Sequence, residues 1–148
     1  MKVFALSFLL VGSSLLGAAV PAANTPTATA SVTVVVSSLA SPHSTVKLYF
    51  YNKPSGFLKA KQYTFMKAVN PGGQHEIALP VELTPGDWAV AITQDLNNND
   101  KLDKNFIGIP TEPFAFSNNV RPTVAPPNFD ECKFRVEGHG KVVSIKLK

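Results

Sequence analysis

Apolar and polar residues alternate with a period of two along most of the chain after residue 30. The segment SVTVVVSSL (31–39) alternates Val32, Val34 and Val36 with Thr33 and Ser37, and TVKLYFYN (45–52) repeats the pattern. Since successive side chains of a strand point to opposite faces, each run predicts a strand with one buried face. The same pattern predicts further strands at 62–69, 74–79, 87–93, 131–137 and 141–147.

Seven short strands without a helical period predict an all-β fold, an antiparallel β-sandwich like that of immunoglobulin domains. Turn residues separate the strands, as in NPGG (70–73), where Pro fixes one φ and Gly accepts a positive one. The segment GFLKAKQYTFMKAV (56–69) is open to two interpretations, because a short helical turn could precede its strand.

The first residues predict a targeting segment rather than part of the fold. Lys2 precedes the apolar run VFALSFLLV, and small residues surround Ala22 and Ala23. A basic start, an apolar stretch and a small-residue end are typical of a cleaved signal peptide. We therefore expect a signal peptide at 1–23, a flexible leader at 24–30 and one domain at 31–148, although the apolar run is also nearly long enough for a retained anchor.

This organisation predicts an exported protein, periplasmic or extracellular, without a membrane span after cleavage. The chain has 14 basic and 10 acidic residues, and its lysines are scattered instead of forming a basic stripe. Nucleic-acid binding is therefore not expected. The single cysteine, Cys132, alternates with Phe134 and Val136, which predicts a small buried side chain rather than a catalytic thiol.

The stretch DLNNNDKLD (95–103) predicts a cation site. Side-chain oxygens at alternate positions are what a chain wrapped around calcium supplies, as in the EF-hand loop at positions 1, 3, 5, 7 and 9. The predicted metal ligands are Asp95, Asn97, Asn99, the carbonyl of Lys101, and Asp103.

Two positions depart from that loop. Asp100 stands where glycine is usual, although Asp tolerates the left-handed conformation better than most residues. Phe106 replaces the bidentate glutamate, so a further ligand would come from Glu112 or water. With so few carboxylates, the expected calcium affinity is weak, on the order of 10⁻⁴–10⁻³ M. The competing interpretation is an ordinary turn in which Asn and Asp cap their own backbone.

The following segment, NFIGIPTEPFAFSNN (105–119), holds several apolar residues and two prolines, which exclude a continuous central strand. Either it folds back over one end of the sandwich, or it presents a ligand surface. The residues of that possible surface, suited to a sugar or a peptide, are Phe114, Phe116, Asn118 and Asn119.

The string TQDLNNNDKLDKNFIGIPTEPFAFSNN, with LTPGDWAVAI before it and NFDECKFRVEG and KVVSIKL after it, resembles the family catalogued as domain of unknown function 2141. The likeness covers residues 31–148 and follows a pattern similar to HDxNxNGxLDxNxxGxPxEGxxFSNN. Gln94 stands where that pattern has histidine, and Asp100 where it has glycine. The resemblance implies an exported β-sandwich of the transthyretin or prealbumin-like kind, without an assigned activity.

No nucleophile elbow and no metal-binding histidine pair is present in the sequence, so an enzyme is not the favoured interpretation. We expect a non-catalytic binding or envelope-associated module whose partner is unspecified, for example a carbohydrate or an envelope protein. The alternatives are a secreted hydrolase or carbohydrate-binding accessory protein using residues 103–119, and a purely structural protein. A hydrolase would draw its carboxylates from Asp95, Asp103 or Glu112.

Overall fold

The computed structural model describes residues 28–148. The predicted signal peptide lies outside the described residues, as does most of the predicted leader. Ala30, assigned above to the leader, is already the first residue of a strand. Within 28–148, no helix is both long enough and apolar enough to cross a lipid bilayer.

The described residues form eight strands and three short helical turns. The strands are β1 (Ala30–Ser37), β2 (Thr45–Tyr51), β3 (Phe65–Val69), β4 (Glu76–Leu83), β5 (Gly86–Asp95), β6 (Phe114–Phe116), β7 (Phe134–Val136) and β8 (Lys141–Lys146). Two 3-10 turns cover Pro54–Gly56 and Ser117–Asn119, and one α-helix, α1, covers Phe129–Cys132.

The strands build two sheets. A three-stranded sheet has the order β4-β1-β8, and a larger sheet has the order β3-β2-β5-β6 with β7 paired to the beginning of β5. All pairs are antiparallel except β1 with β8. The prediction of an antiparallel two-sheet β fold is therefore confirmed, except for the parallel pair of β1 and β8.

The alternating residues of β1 explain why the sheets pack together. Val32, Val34 and Val36 are fully buried and belong to one apolar core with Leu48 and Phe50 of the opposite sheet. Each such side chain contributes about 1.5–3 kcal/mol by leaving water. Since a truncation also leaves a cavity, Phe50→Ala would cost about 3–5 kcal/mol.

A second, smaller apolar cluster covers the outer face of the larger sheet. Tyr51 packs edge-on against Phe57 with ring centroids 5.2 Å apart, and Phe57 packs against Phe129 of α1. Cys132 is fully buried in this cluster, which confirms its predicted role as a buried side chain. Burial raises the pKa of the Cys132 thiol to about 12, and nearby Glu131 adds to the rise, so the thiol is chemically inert.

The strand predicted at 131–137 is wrong in its first half, where α1 ends. Asn128 Oδ1 accepts the Glu131 N–H at 3.0 Å, and Glu131 Oε2 accepts the Asn128 N–H at 2.7 Å. This reciprocal capping box begins the helical turn, and the strand starts only at Phe134. An Asn followed three positions later by Glu was the sequence signal for it.

The strand β6 was not among the predicted strands. It begins immediately after Pro113, pairs with Ala91–Thr93 of β5 and lasts three residues. A proline just outside a strand removes no ladder hydrogen bond, so it limits the length of β6 without preventing its formation.

Candidate functional site

The acidic loop is the connection between two neighbouring strands, since Asp95 ends β5 and Phe114 begins β6. The intervening chain rises from the end of the larger sheet and returns to it. The two strands are antiparallel neighbours, so both ends of the loop are fixed by the sheet. At the returning end, the Gln94 N–H donates to the Pro113 carbonyl at 3.0 Å.

A buried ion pair holds the beginning of the loop. Lys47 Nζ of β2 lies 2.9 Å from Asp95 Oδ2 and 3.0 Å from Asp100 Oδ1. The side chains of Lys47 and Asp95 are only 8% and 2% exposed, whereas that of Asp100 is 92% exposed. Lys47 is therefore a fixed counter-ion that sequence analysis did not identify.

Hydrogen bonds complete the surroundings of the Asp95 carboxylate. Its Oδ1 accepts the Asn99 N–H at 3.1 Å and its Oδ2 accepts the Asp100 N–H at 2.8 Å. Burial by itself raises the pKa of Asp95, but the bonds from Lys47 and these backbone groups outweigh it and hold the pKa below its ordinary value. Likewise, burial lowers the pKa of Lys47, while its two carboxylate partners raise it above its ordinary value.

The asparagines turn the chain by capping their own backbone. Asn97 Oδ1 accepts the Asn99 N–H at 3.2 Å, and Asn99 Oδ1 accepts the Lys101 N–H at 2.8 Å. Between these turns, Asn98 and Asp100 adopt left-handed backbone with φ of 53° and 62°. Asp100 thus takes the conformation for which an EF-hand loop uses glycine.

Three of the predicted ligand side chains converge at one point. Asn97 Nδ2 donates to Asp103 Oδ2 at 2.6 Å, and Asn99 Nδ2 donates to both carboxylate oxygens of Asp103 at 3.0 and 3.1 Å. Asp95 lies behind them, bonded to Lys47. The alternate spacing along the chain therefore brings amide and carboxylate groups within contact of one another.

Glu112 closes the loop instead of remaining free as an additional ligand. The residue is only 7% exposed. Its Oε1 accepts the Leu96 N–H at 2.9 Å, and its Oε2 accepts the Asp103 N–H at 3.3 Å. One buried carboxylate therefore ties both halves of the loop together. We call Lys47, Asp95 and Glu112 the loop base.

Beyond Asp103 the chain forms a small hairpin, in which Lys104 pairs with Pro110. Its apolar residues do not fold back onto the sandwich. Phe106, Ile107 and Ile109 are 99%, 62% and 51% exposed. We call these three residues the hairpin tip. The first interpretation, in which the segment 105–119 folds back over one end of the sandwich, is therefore wrong for the tip.

Most residues of the possible ligand surface form packing contacts or hydrogen bonds within the protein itself. Phe116 is buried, and Phe114 is half-buried against it with ring centroids 5.8 Å apart. Asn118 Nδ2 donates to the carbonyls of Glu131 and Lys133. Asn118 therefore anchors the end of α1.

Asn119 has a comparable structural role at the free edge of β8. Its Nδ2 donates to the Ser144 carbonyl at 3.1 Å and its Oδ1 accepts the Lys146 N–H at 2.7 Å. The Arg121 guanidinium adds a bond to the Lys146 carbonyl at 2.8 Å. These side chains thus take the place of a neighbouring strand and satisfy backbone hydrogen-bonding groups at this edge.

Other clusters in the described part of the chain offer less chemistry. No group of three or more His, Cys, Asp or Glu side chains within 28–148 is arranged to hold a metal ion. An open groove of about 440 Å³ lies between the edges of β3 and β4 and is lined by both apolar and charged side chains. Its residues are Phe65, Met66, Lys67, Pro80, Val81 and Glu82.

Fold and site together define a small two-sheet β protein with an Asp/Asn loop closed by buried charges. The model of the family described as "Uncharacterized protein conserved in bacteria (DUF2141)" matches residues 34–144. The chain belongs to this family, as the resemblance predicted. No curated protein and no solved structure matches the chain.

Proposed function

We propose that this protein is an exported, non-catalytic β-sandwich module of the immunoglobulin or transthyretin kind, whose acidic loop binds calcium for structure. The ligands are Asp95, Asn97, Asn99, the Lys101 carbonyl and Asp103. The ion neutralises the carboxylates and orders the chain between β5 and β6. Envelope association is the corresponding cellular role.

The observation that carries this proposal is the convergence of Asn97 and Asn99 on the Asp103 carboxylate. Each amide now directs its nitrogen at Asp103. Rotation of an amide by half a turn points its oxygen at Asp103 and gives up the cap that this oxygen now forms with the Asn99 or Lys101 N–H. The two asparagines therefore supply oxygen ligands when coordination of a cation outweighs the loss of those caps. The left-handed backbone at Asp100 supports the loop path that such coordination requires.

The ion pair at the loop base limits the expected affinity. Lys47 already compensates part of the negative charge, and Asp95 already accepts three hydrogen bonds. Glu112 is engaged with backbone N–H groups and is not a ligand in this proposal. A weak Kd, on the order of 10⁻⁴–10⁻³ M, is consistent with this donor set.

The non-catalytic part of the proposal is supported by the state of the reactive groups. The Cys132 thiol is buried, and its pKa is raised to about 12. The Asp95 and Glu112 carboxylates accept hydrogen bonds at the loop base instead of lining a concave pocket. The alternative of a hydrolase or carbohydrate-binding accessory protein loses support, because Asn118 and Asn119 bind the backbone.

Thermal unfolding in EDTA, calcium and magnesium tests the proposal. Calcium at about ten times its Kd should add about 1.4 kcal/mol of stability, which corresponds to a rise in Tm of about 5 °C. Asp103→Asn should abolish the rise. The matched control is Glu76→Gln, which changes an exposed carboxylate on β4 and should retain it.

An equal rise in Tm with magnesium would contradict calcium selectivity. No rise in Tm at several times the expected Kd would mean that the loop is an ordinary capped turn. A rise that survives in Asp103→Asn would assign the ion to another part of the chain. Each of these results is incompatible with the proposed site.

A further inference from the structure

The hairpin tip exposes its apolar side chains more completely than any other contiguous segment described between 28 and 148. Phe106, Ile107 and Ile109 are all more than half exposed, and Leu102 nearby is 39% exposed. Water contact with apolar surface costs about 25 cal/mol per Å². A cluster of large apolar groups in this position is therefore typical of an interaction surface.

The tip is held in this exposed position by specific hydrogen bonds. The Asn105 N–H donates to the Ile109 carbonyl at 2.8 Å, and the Gly108 N–H donates to the Asn105 carbonyl at 2.9 Å. Asn105 Oδ1 accepts the N–H groups of Ile107 and Ile109 at 3.1 and 2.9 Å. Gly108 takes a φ of 82°, which is easily accessible to glycine. The backbone thus presents the apolar side chains outward in a fixed arrangement.

Charges of both signs lie next to the tip. Lys47 is shared between Asp95 and Asp100, and the amide groups that bond the Asp103 carboxylate are uncharged. Lys101 and Lys104 are exposed, and within the described chain neither forms an ion pair. Apolar side chains therefore project beyond two available ammonium groups.

We propose that the hairpin tip inserts into the surface of an anionic phospholipid bilayer, with Lys101 and Lys104 contacting lipid phosphates. A lipid interface accepts apolar side chains to a depth of about 5–10 Å. Long lysine stems allow the ammonium group to remain at the headgroup level. The tip is a projecting hairpin and not a groove, so it suits a deformable surface better than it suits a bound peptide.

This inference goes beyond the calcium proposal and does not depend on it. The apolar side chains and lysines act at the membrane whether or not an ion occupies the loop. Three side chains provide only weak, reversible association, and the contribution of the lysines decreases with added salt. The membrane contact would thus supplement whatever other contacts the protein makes.

The direct test introduces a fluorescent reporter at the tip. The Phe106→Trp variant is produced in the native host cell and purified. It is then mixed with vesicles of phosphatidylcholine and phosphatidylglycerol. The native Trp88 is buried, with Nε1–H donating to the Thr84 carbonyl at 2.9 Å, so it provides a constant background. Insertion should shift the emission of the introduced indole to shorter wavelength and allow quenching by brominated lipid chains.

Sedimentation with the same vesicles measures the contribution of each group. Phe106→Ser should lower partitioning about tenfold, whereas the control Val124→Ser, at another residue 98% exposed, should leave it unchanged. Combined Lys101→Gln and Lys104→Gln should lower partitioning about thirtyfold. The matched control, Lys53→Gln with Lys59→Gln, should have no effect on vesicles.

Absence of vesicle binding by the unaltered protein would overturn the proposal, and so would equal binding by Phe106→Ser. Self-association that is lost in Phe106→Ser, without vesicle binding, would instead assign the tip to a protein contact. Repeating the vesicle measurement in EDTA should give the same binding, because the tip acts with or without an ion in the loop. The calcium proposal is tested separately by the rise in Tm. Vesicle binding in a protein whose Tm does not rise with calcium would support the tip and reject the calcium site, and the reverse result would reject only the tip.

Discussion

The loop base and the hairpin tip reverse the usual distribution of residues between the interior and the surface. In the base, Lys47, Asp95 and Glu112 are charged and buried. In the tip, Phe106 and Ile107 are apolar and exposed. The loop is therefore not stabilised by its own apolar groups. Buried charges with hydrogen-bond partners hold the base, and the tip contributes surface to contacts outside the fold.

This comparison predicts that the largest loss of stability comes from Lys47. Lys47→Met retains most of the side-chain volume but leaves Asp95 buried without its cation. The loss should be about 3 kcal/mol, because a buried carboxylate then lacks charge compensation. Urea unfolding measures it, with the exposed Lys53→Met as control. A loss below about 1 kcal/mol would mean that the pair behaves like a surface salt bridge.

Glu112 should have the next largest effect. Glu112→Ala leaves the N–H groups of Leu96 and Asp103 without their acceptor and should cost about 2 kcal/mol. Hydrogen exchange should show faster exchange at these two amides than in the unaltered protein. Glu76→Ala, at an exposed carboxylate, provides the comparison. Unchanged exchange at Leu96 and Asp103 would contradict the role of Glu112 in closing the loop.

The buried pair also predicts how stability depends on pH. Because the pKa of Asp95 is lowered on folding, its contribution is present above its unfolded value and is lost as the pH falls through the folded value. Because the pKa of Lys47 is raised, its contribution is present below its unfolded value and is lost as the pH rises through the folded value. Lys47→Met should flatten both limbs of the stability profile. If the acid and alkaline limbs were identical in Lys47→Met and in the unaltered protein, the coupling between Lys47 and Asp95 would be contradicted.

The smallest effect is expected at the tip. Phe106→Ser should change the free energy of unfolding by no more than about 0.5 kcal/mol, because the side chain is almost fully exposed. Urea unfolding under the conditions used for Lys47→Met measures the contrast directly. A loss comparable to that of Glu112→Ala would mean that Phe106 packs against the fold, and it would remove the distinction between tip and base.

Much of the fold follows from local pattern. The alternation of Val32, Val34 and Val36 correctly predicted both the strand β1 and its buried face. The strand β6 and the capped turn of α1 were missed, since each lasts only three or four residues and depends on neighbours. The pattern NFDE (128–131) did contain the capping signal, but the apparent alternation after Cys132 dominated the prediction.

The loop was only partly predictable for a different reason. Spacing along the chain identified Asn97, Asn99 and Asp103, whose side chains meet locally. It did not identify Lys47, which reaches the loop because β2 and β5 are adjacent in the sheet. A lysine among apolar residues of a strand indicates a solvent-facing position when only the alternation is considered. Its burial follows from the path of the loop over it, and local pattern does not determine that path.

The most direct test of the central proposal follows the side-chain amide signals of Asn97 and Asn99 by NMR during a calcium titration. If calcium displaces their bonds to Asp103, both signals should shift and saturate with a Kd on the order of 10⁻⁴–10⁻³ M. The amide of Asn52, which lies beyond the opposite end of β2 and whose Oδ1 accepts the Thr64 hydroxyl, should remain unchanged. Asp103→Asn should abolish the shifts. Signals of Asn97 and Asn99 that do not move at saturating calcium would show that the loop is a capped turn and not a calcium site.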